Sequence, residues 1–367
     1  MSVWDDLDLL LDSPSSLNVT SNARGTVKDK ANFKVEEDVA ALRKAIEGIG
    51  TTEKTLVEVL TQRSNAQRQL IATAYHKATG RVSVKYGDKD GERGQVDFVP
   101  NQTLIADLEG DTHGYFEDLL VALVKPPAVY DCHEVIKAIK GAGTTESTLT
   151  ELFASRSNRQ IKAMSEVYLT AVHGAMCVAE TGKMLIHDLK SEVSGDYGKA
   201  LLILAEGKRD ESPYVDAAKA KADAKALYEA GEKKWGTDEG RFIDILCHRS
   251  VPQLRQTLVE YKSISKRTLQ ESIESEMSGN LEELLVAVVK CVKNVPAYLA
   301  ERLFKSMKGL GTTESTLTRI LVSRSEMDLL DIRAEFKKLF GYSLYSMLES
   351  EVSGSYGDAL KHLCGQD

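Results

Sequence analysis

The sequence predicts an all-α fold made of four related repeats, each of about five helices. Three observations carry that expectation. One segment recurs four times, apolar residues after each copy fall at helical spacing, and Leu, Ala, Lys and Glu outweigh aromatics, which favours helix. The segment reads GIGTTEKTLVEVLTQRS from Gly48, GAGTTESTLTELFASRS from Gly141, KWGTDEGRFIDILCHRS from Lys234 and GLGTTESTLTRILVSRS from Gly309. Its threonines, Thr51, Thr144, Thr237 and Thr312, are spaced by 93, 93 and 75 residues. Units this small bury their own faces poorly and are expected to pack as an array.

Within each unit the elements follow in order. A helix ends at the glycines. The next presents one apolar face: Leu56, Val59, Leu60; Leu149, Leu152, Phe153; Phe242, Ile245, Leu246; Leu317, Ile320, Leu321. An arginine closes that helix each time (Arg63, Arg156, Arg249, Arg324), placed to hydrogen-bond loop carbonyls and tie helices together. The serine after it (Ser64, Ser157, Ser250, Ser325) suits the N-cap of a third helix. The last helix carries a second apolar set, as in Phe116, Leu119, Leu120 and Leu123. No segment reads convincingly as a strand. The spacing predicts an N-terminal tail over 1–32 and repeats over 33–125, 126–207, 208–292 (with a linker) and 293–367. From the second glycine to a downstream acid the gap is 61 residues in the first unit, 49 in the second and 40 in the last two. Insertions near 81–100 and 172–182 account for the excess.

Composition narrows the function. A net charge of -8 argues against nucleic-acid binding and against simple adsorption on anionic lipid. An acidic chain that binds an acidic surface needs a bridging cation or a local basic patch. Five scattered cysteines without a CxxC pair read as a reduced, cytoplasmic protein. No apolar run reaches the ~20 residues of a membrane span, and MSVWDDLDLLLDS lacks the basic start of a secretory signal. The sequons at Asn18 and Asn101 are then idle. Seven histidines show no metal-ligand spacing and no GxSxG elbow occurs, so an enzyme is not expected.

The loops carry the chemistry. The last carbonyls of a helix lack intrahelical partners, and glycines let the chain turn so that they point outward. Hard oxygens of this kind suit Ca2+. Threonine is expected to cap the following helix, with acids in its first turn. A carboxylate follows in register each time: Asp111, Glu192, Glu276 and Glu351, each three residues before a glycine that turns into the last helix. A helical hairpin brings the two turns together. Such a site has few charges, binds weakly in solution and leaves room for a lipid phosphate. A single GxGT loop is usually only a helix-helix turn; four copies with four acids reverse that balance. No GxxxxGK[ST] occurs, and Asp88-Lys89-Asp90-Gly91-Glu92 fails as an EF-hand because its glycine comes too early. Trp235, at the tip of the third loop, suits insertion at a lipid interface, or packing on its own repeat.

These residues resemble the annexin family. The resemblance spans roughly Phe33 to Cys364 and rests on the GxGT loops, the downstream acids, the run NVPAYLAERLFKSMKGLGTTE and the ending LCGQD. It implies a slightly curved helical disc with calcium loops on a convex, membrane-facing side. It implies backbone carbonyl ligands from Ile46, Gly48 and Gly50 with Asp111; from Ile139, Gly141 and Gly143 with Glu192; from Gly231, Lys234 and Gly236 with Glu276; and from Met307, Gly309 and Gly311 with Glu351. Weaker auxiliary sites pair Thr51 with Glu53, Thr144 with Glu146, Thr237 with Glu239 and Thr312 with Glu314. Lys234 stands where the other loops have glycine, and the first unit uses a shorter acid. The expected function is reversible, calcium-dependent binding to acidic phospholipid membranes, in membrane organisation, aggregation or repair. The alternative is a calcium-independent helical scaffold. Protein partners are expected at the insertions or at the N-terminal tail, where Trp4, Leu7, Leu10 and Leu11 are spaced like an amphipathic helix. Self-association on membranes, a cross-link through Cys177 under oxidation, and surface exposure without a signal peptide complete the expectations.

Overall fold

The computed structural model describes residues 23–47, 52–80, 102–140, 143–173, 181–232, 236–309 and 311–367. The tail residues Trp4, Leu7, Leu10 and Leu11, the insertion at 81–100 and Cys177 lie outside them. All regular elements among the described residues are α-helices. The first repeat comprises α1 (Val35–Glu47), α2 (Glu53–Thr61), α3 (Asn65–Thr79), α4 (Gln102–Asp111) and α5 (Gly114–Val124). The second comprises α6 (Pro127–Lys140), α7 (Glu146–Ser155), α8 (Asn158–His173), α9 (Thr181–Glu192) and α10 (Gly195–Ala205). Then come α11 (Ala217–Ala230), α12 (Glu239–His248), α13 (Val251–Ile264), α14 (Leu269–Glu276) and α15 (Gly279–Met307). The chain ends with α16 (Glu314–Arg324), α17 (Leu329–Phe340), α18 (Leu344–Glu351) and α19 (Gly354–Cys364).

The long α15 serves two repeats. Asn294 breaks it with φ -163° and ψ 105°. The Asn294 Oδ1 accepts from the Ala297 N–H at 3.1 Å, an N-cap bond, and Pro296 sits in the first turn that follows. One helix therefore stops and the next starts with no linker between them.

The chain forms two compact units. One takes Asp131–Tyr298; the other takes the described residues up to Tyr130 together with Leu299–Asp367. In the first unit α11 packs on α13, and α10 lies against α7 and α12. Leu149, Leu152, Phe242 and Leu285 are fully buried in its core. In the second unit α1 packs on α3, α19 on α2 and α16 on α5, burying Leu56, Leu60, Leu317 and Leu321. Each such side chain contributes about 1.5–3 kcal/mol. The periodic residues read from the sequence are thus the core. The four described cysteines, Cys132, Cys247, Cys291 and Cys364, are buried. No helix among the described residues is long and apolar enough to cross a membrane.

In the second unit the segment before α1 is tied down. Val27 N–H donates to the Ser325 carbonyl at 3.0 Å, and Leu330 N–H to the Arg24 carbonyl at 2.9 Å. Gly25 passes so close that a Cβ there would stand 2.5 Å from the Glu326 backbone.

The repeated arginines are structural, but carboxylates rather than loop carbonyls are their main partners. Arg63 makes a bidentate pair with Asp38 at 2.6 and 2.7 Å. Arg156 does so with Asp131 at 2.8 and 2.9 Å, and Arg249 with Asp223 at 2.8 and 3.1 Å. The fourth repeat has buried Leu299 at the position of those aspartates, and Arg324 turns to Asp328 at 2.7 Å instead. Serine caps follow the same division. Ser64, Ser157 and Ser250 accept from the backbone N–H three residues on. Ser325 does not cap: it lies in the right-handed helical region, and α17 begins after Asp328.

Candidate metal centres

Each loop between the first two helices of a repeat is closed by one backbone hydrogen bond. Thr52 N–H donates to the Ala45 carbonyl at 3.0 Å, Thr145 to Ala138 at 2.8 Å, Asp238 to Ala230 at 2.9 Å and Thr313 to Ser306 at 2.7 Å. The third loop encloses one residue more than the others. The second loop glycine takes a left-handed conformation wherever it is described: φ 113° at Gly143, 86° at Gly236 and 102° at Gly311. The side chains of Ile46, Ile139 and Met307 are buried, so the ligand each could offer is its backbone carbonyl. Gly48, Gly50, Thr51, Gly141, Lys234 and Trp235 lie outside the described residues.

The acids stand together in kind. Asp111, Glu192, Glu276 and Glu351 are each the last residue of the fourth helix and are exposed. The backbone then turns through Gly114, Gly195, Gly279 and Gly354, with φ between 63° and 73°. Nothing lies within 4 Å of a Cβ built on any of these glycines, so backbone conformation alone demands them. In three repeats the preceding serine faces the carboxylate: Ser350 donates to Glu351 at 3.3 Å, and Ser191 and Ser275 reach Glu192 and Glu276 at 3.5 Å.

Loop and acid meet. Thr237 Oγ1 donates to the Glu276 carbonyl at 3.2 Å, and Thr144 Oγ1 reaches the Glu192 carbonyl at 3.5 Å. This corrects the expected capping role of these threonines. The N-cap falls one residue later, at Thr52, Thr145, Asp238 and Thr313. The hydroxyl is instead used to join the two halves of the site. A second tie runs from the last helix: Tyr197 and Tyr356 donate to the Glu146 and Glu314 carbonyls at 3.3 and 3.0 Å. Burial pushes the Tyr197 phenol up to about 12, so it stays a donor.

Glu53, Glu146, Glu239 and Glu314 are each the first residue of a second helix, where the helix dipole favours their charge. In the second unit Glu53, Glu314 and Glu351 line one open cleft with His113, Tyr115 and Tyr356. There Ser355 donates to Glu53. Among the described residues no three His, Cys, Asp or Glu side chains gather as a metal cluster. Loop carbonyl oxygens with a carboxylate make a hard-oxygen donor set, which fits Ca2+.

Two groups of residues were not legible as site residues. The aspartate partners of the arginines carry no local pattern. Glu232, next to Gly231, accepts three hydroxyl hydrogen bonds described below. The sequence signal that could have found it is the longer third loop together with Ser272 at a position held by aspartate in the first two repeats.

Fold and turns define an all-helical, four-repeat protein with a loop and a distant acid joined in the second and third repeats. The annexin family model matches residues 37–82, 130–204, 222–288 and 298–363. Annexin A3 of Homo sapiens is 50% identical over 344 residues, covering 94% of this chain and 97% of its own length. The solved structure of annexin III superposes with a TM-score of 0.83 at 50% identity, covering 96% of this chain and 100% of that one. A calcium-bound annexin (Sm)1 gives a TM-score of 0.75 at 30% identity, covering 94% of each chain. The chain belongs to the annexin family.

Proposed function

We propose that this chain binds acidic phospholipid membranes reversibly when calcium is present, through its loop-and-acid sites. The observation that supports this most is the Thr237 bond to the Glu276 carbonyl, which joins loop and acid into one split site. In each repeat the loop carbonyls at Ile46, Gly48 and Gly50, and their counterparts, would hold the ion with Asp111, Glu192, Glu276 or Glu351. Calcium supplies the positive charge that lets a chain of net charge -8 meet an anionic head group. Its presence in the related annexin (Sm)1 supports the choice of metal. With few protein ligands, affinity in solution is low, and lipid and calcium strengthen each other by the same factor. Several sites acting together add avidity.

The same reading places the protein in the cytoplasm at low calcium and peripherally on membranes at raised calcium, in membrane organisation, aggregation or repair. The tail and insertions are reserved for protein partners. Sedimentation with liposomes tests the reading. Phosphatidylserine vesicles should pellet the protein with calcium and release it to a chelator, and phosphatidylcholine vesicles should not. Pelleting that ignores calcium would overturn the reading in favour of the scaffold alternative, and absence of pelleting would overturn it outright.

A further inference from the structure

In the first two repeats a tyrosine on the third helix is answered by an aspartate on the fourth. Tyr75 donates to Asp107 at 2.8 Å, and Tyr168 to Asp188 at 2.7 Å. Each aspartate stands four residues before the site acid, Asp111 or Glu192. In the third repeat that position is Ser272, and the carboxylate comes from the loop instead. Glu232 Oε1 accepts from Tyr261 at 3.0 Å, Ser265 at 2.7 Å and Ser272 at 2.5 Å. Burial alone would raise the Glu232 carboxyl. The hydroxyls of Ser272, Ser265 and Tyr261, with the Arg267 charge, hold it below its ordinary value.

Location gives this exchange its meaning. Glu232 directly follows Gly231, where the third loop leaves α11. Ser272 lies one helical turn before Glu276 on α14. The loop is thus fastened to the acid-bearing helix twice: beneath through Glu232 and Ser272, and at the rim through Thr237 and the Glu276 carbonyl. In the first two repeats the tyrosine–aspartate pair joins third helix to fourth.

We infer that Glu232 is a positioning residue for the third site, setting the loop carbonyls at Gly231 and Gly236 against Glu276 before the ion arrives. This rests on the calcium reading proposed above. Groups that orient metal ligands without touching the metal typically govern affinity about tenfold or more.

The test uses full-length protein carrying Trp4→Phe, so that Trp235 is the sole tryptophan and reports the third loop. Three proteins are compared: this parent, Glu232→Gln, and Glu232→Gln with Ser272→Asp. The double variant restores the tyrosine–carboxylate pair of the first two repeats without refastening the loop. Calcium titration by Trp235 fluorescence should show the midpoint about tenfold higher in Glu232→Gln. In chelator, backbone hydrogen exchange over 231–238 should accelerate in the same variant. Ser272→Asp should recover the thermal midpoint but neither the calcium midpoint nor the slow exchange. A calcium midpoint unchanged in Glu232→Gln would overturn the inference. So would its recovery in the double variant, which would make Glu232 a core residue only. A parent whose Trp235 signal ignores calcium would overturn the calcium reading instead. The exchange comparison needs no calcium and would still decide whether Glu232 fastens the loop.

Discussion

The third and fourth repeats build the same site on different foundations. Both close the loop with the same backbone bond and turn out of the acid through a left-handed glycine, Gly279 or Gly354. Beneath the loop they diverge. The third is polar: Arg249 pairs with Asp223, and Tyr261 with Glu232. The fourth is apolar. Phe336 stands where the other repeats have tyrosine, with Phe340 at 4.9 Å and Tyr342 at 6.0 Å between ring centroids. Buried Met347 and Leu299 occupy the positions of the polar partners. Even the feet of the loops differ, since Lys308 leans over the Phe304 ring at 5.1 Å where Glu232 gathers hydroxyls in the third. What stays constant is the frame of closing bond and left-handed glycines. The packing under it is interchangeable provided that no polar group is stranded.

The largest expected effect breaks that proviso. Asp223→Leu gives the third repeat the residue of the fourth but leaves Arg249 without its carboxylate, at a cost of about 3 kcal/mol, read from the urea midpoint. A loss below about 1 kcal/mol would mean that the pair is idle. Next, Gly279→Ala and Gly354→Ala should each cost about 1–2 kcal/mol, alike in the two repeats despite their different interiors. Unequal losses on denaturation would show that the interior shapes the turn. Glu276→Gln and Glu351→Gln together should raise the calcium needed for half-maximal vesicle pelleting on the order of tenfold, equivalent to about 1.4 kcal/mol. An unchanged midpoint would move the sites elsewhere. Smallest is Lys308→Met, which removes an exposed cation–π contact of about 0.5 kcal/mol and should leave thermal unfolding nearly unmoved.

Periodicity and repetition made the helices, the core faces and the loop-plus-acid pairing legible, because each is a local pattern repeated. Partners set by tertiary packing were not. Nothing beside Arg63 marks Asp38, 25 residues earlier, as its pair. Ser325 looks like the other caps, yet Leu299 removes the aspartate that holds Arg249 and its counterparts in place, and Arg324 takes Asp328 at the start of the next helix. The loop threonine's bond is hidden from the sequence for a similar reason. Its hydroxyl has two acceptable uses, and only the nearness of Glu276 decides between them. Glu232 needed knowledge of which side chains face it from α13 and α14.

The turn at Gly354 has a stereochemical consequence. Its φ is 64°, and the space where a side chain would project is open. Handedness, not room, is what excludes other residues. A D-alanine installed there by peptide ligation would match the native backbone where L-alanine strains it. By narrowing the unfolded chain's freedom it should stabilise the fold by about 0.4–1 kcal/mol, with the sign of the effect set by chirality alone.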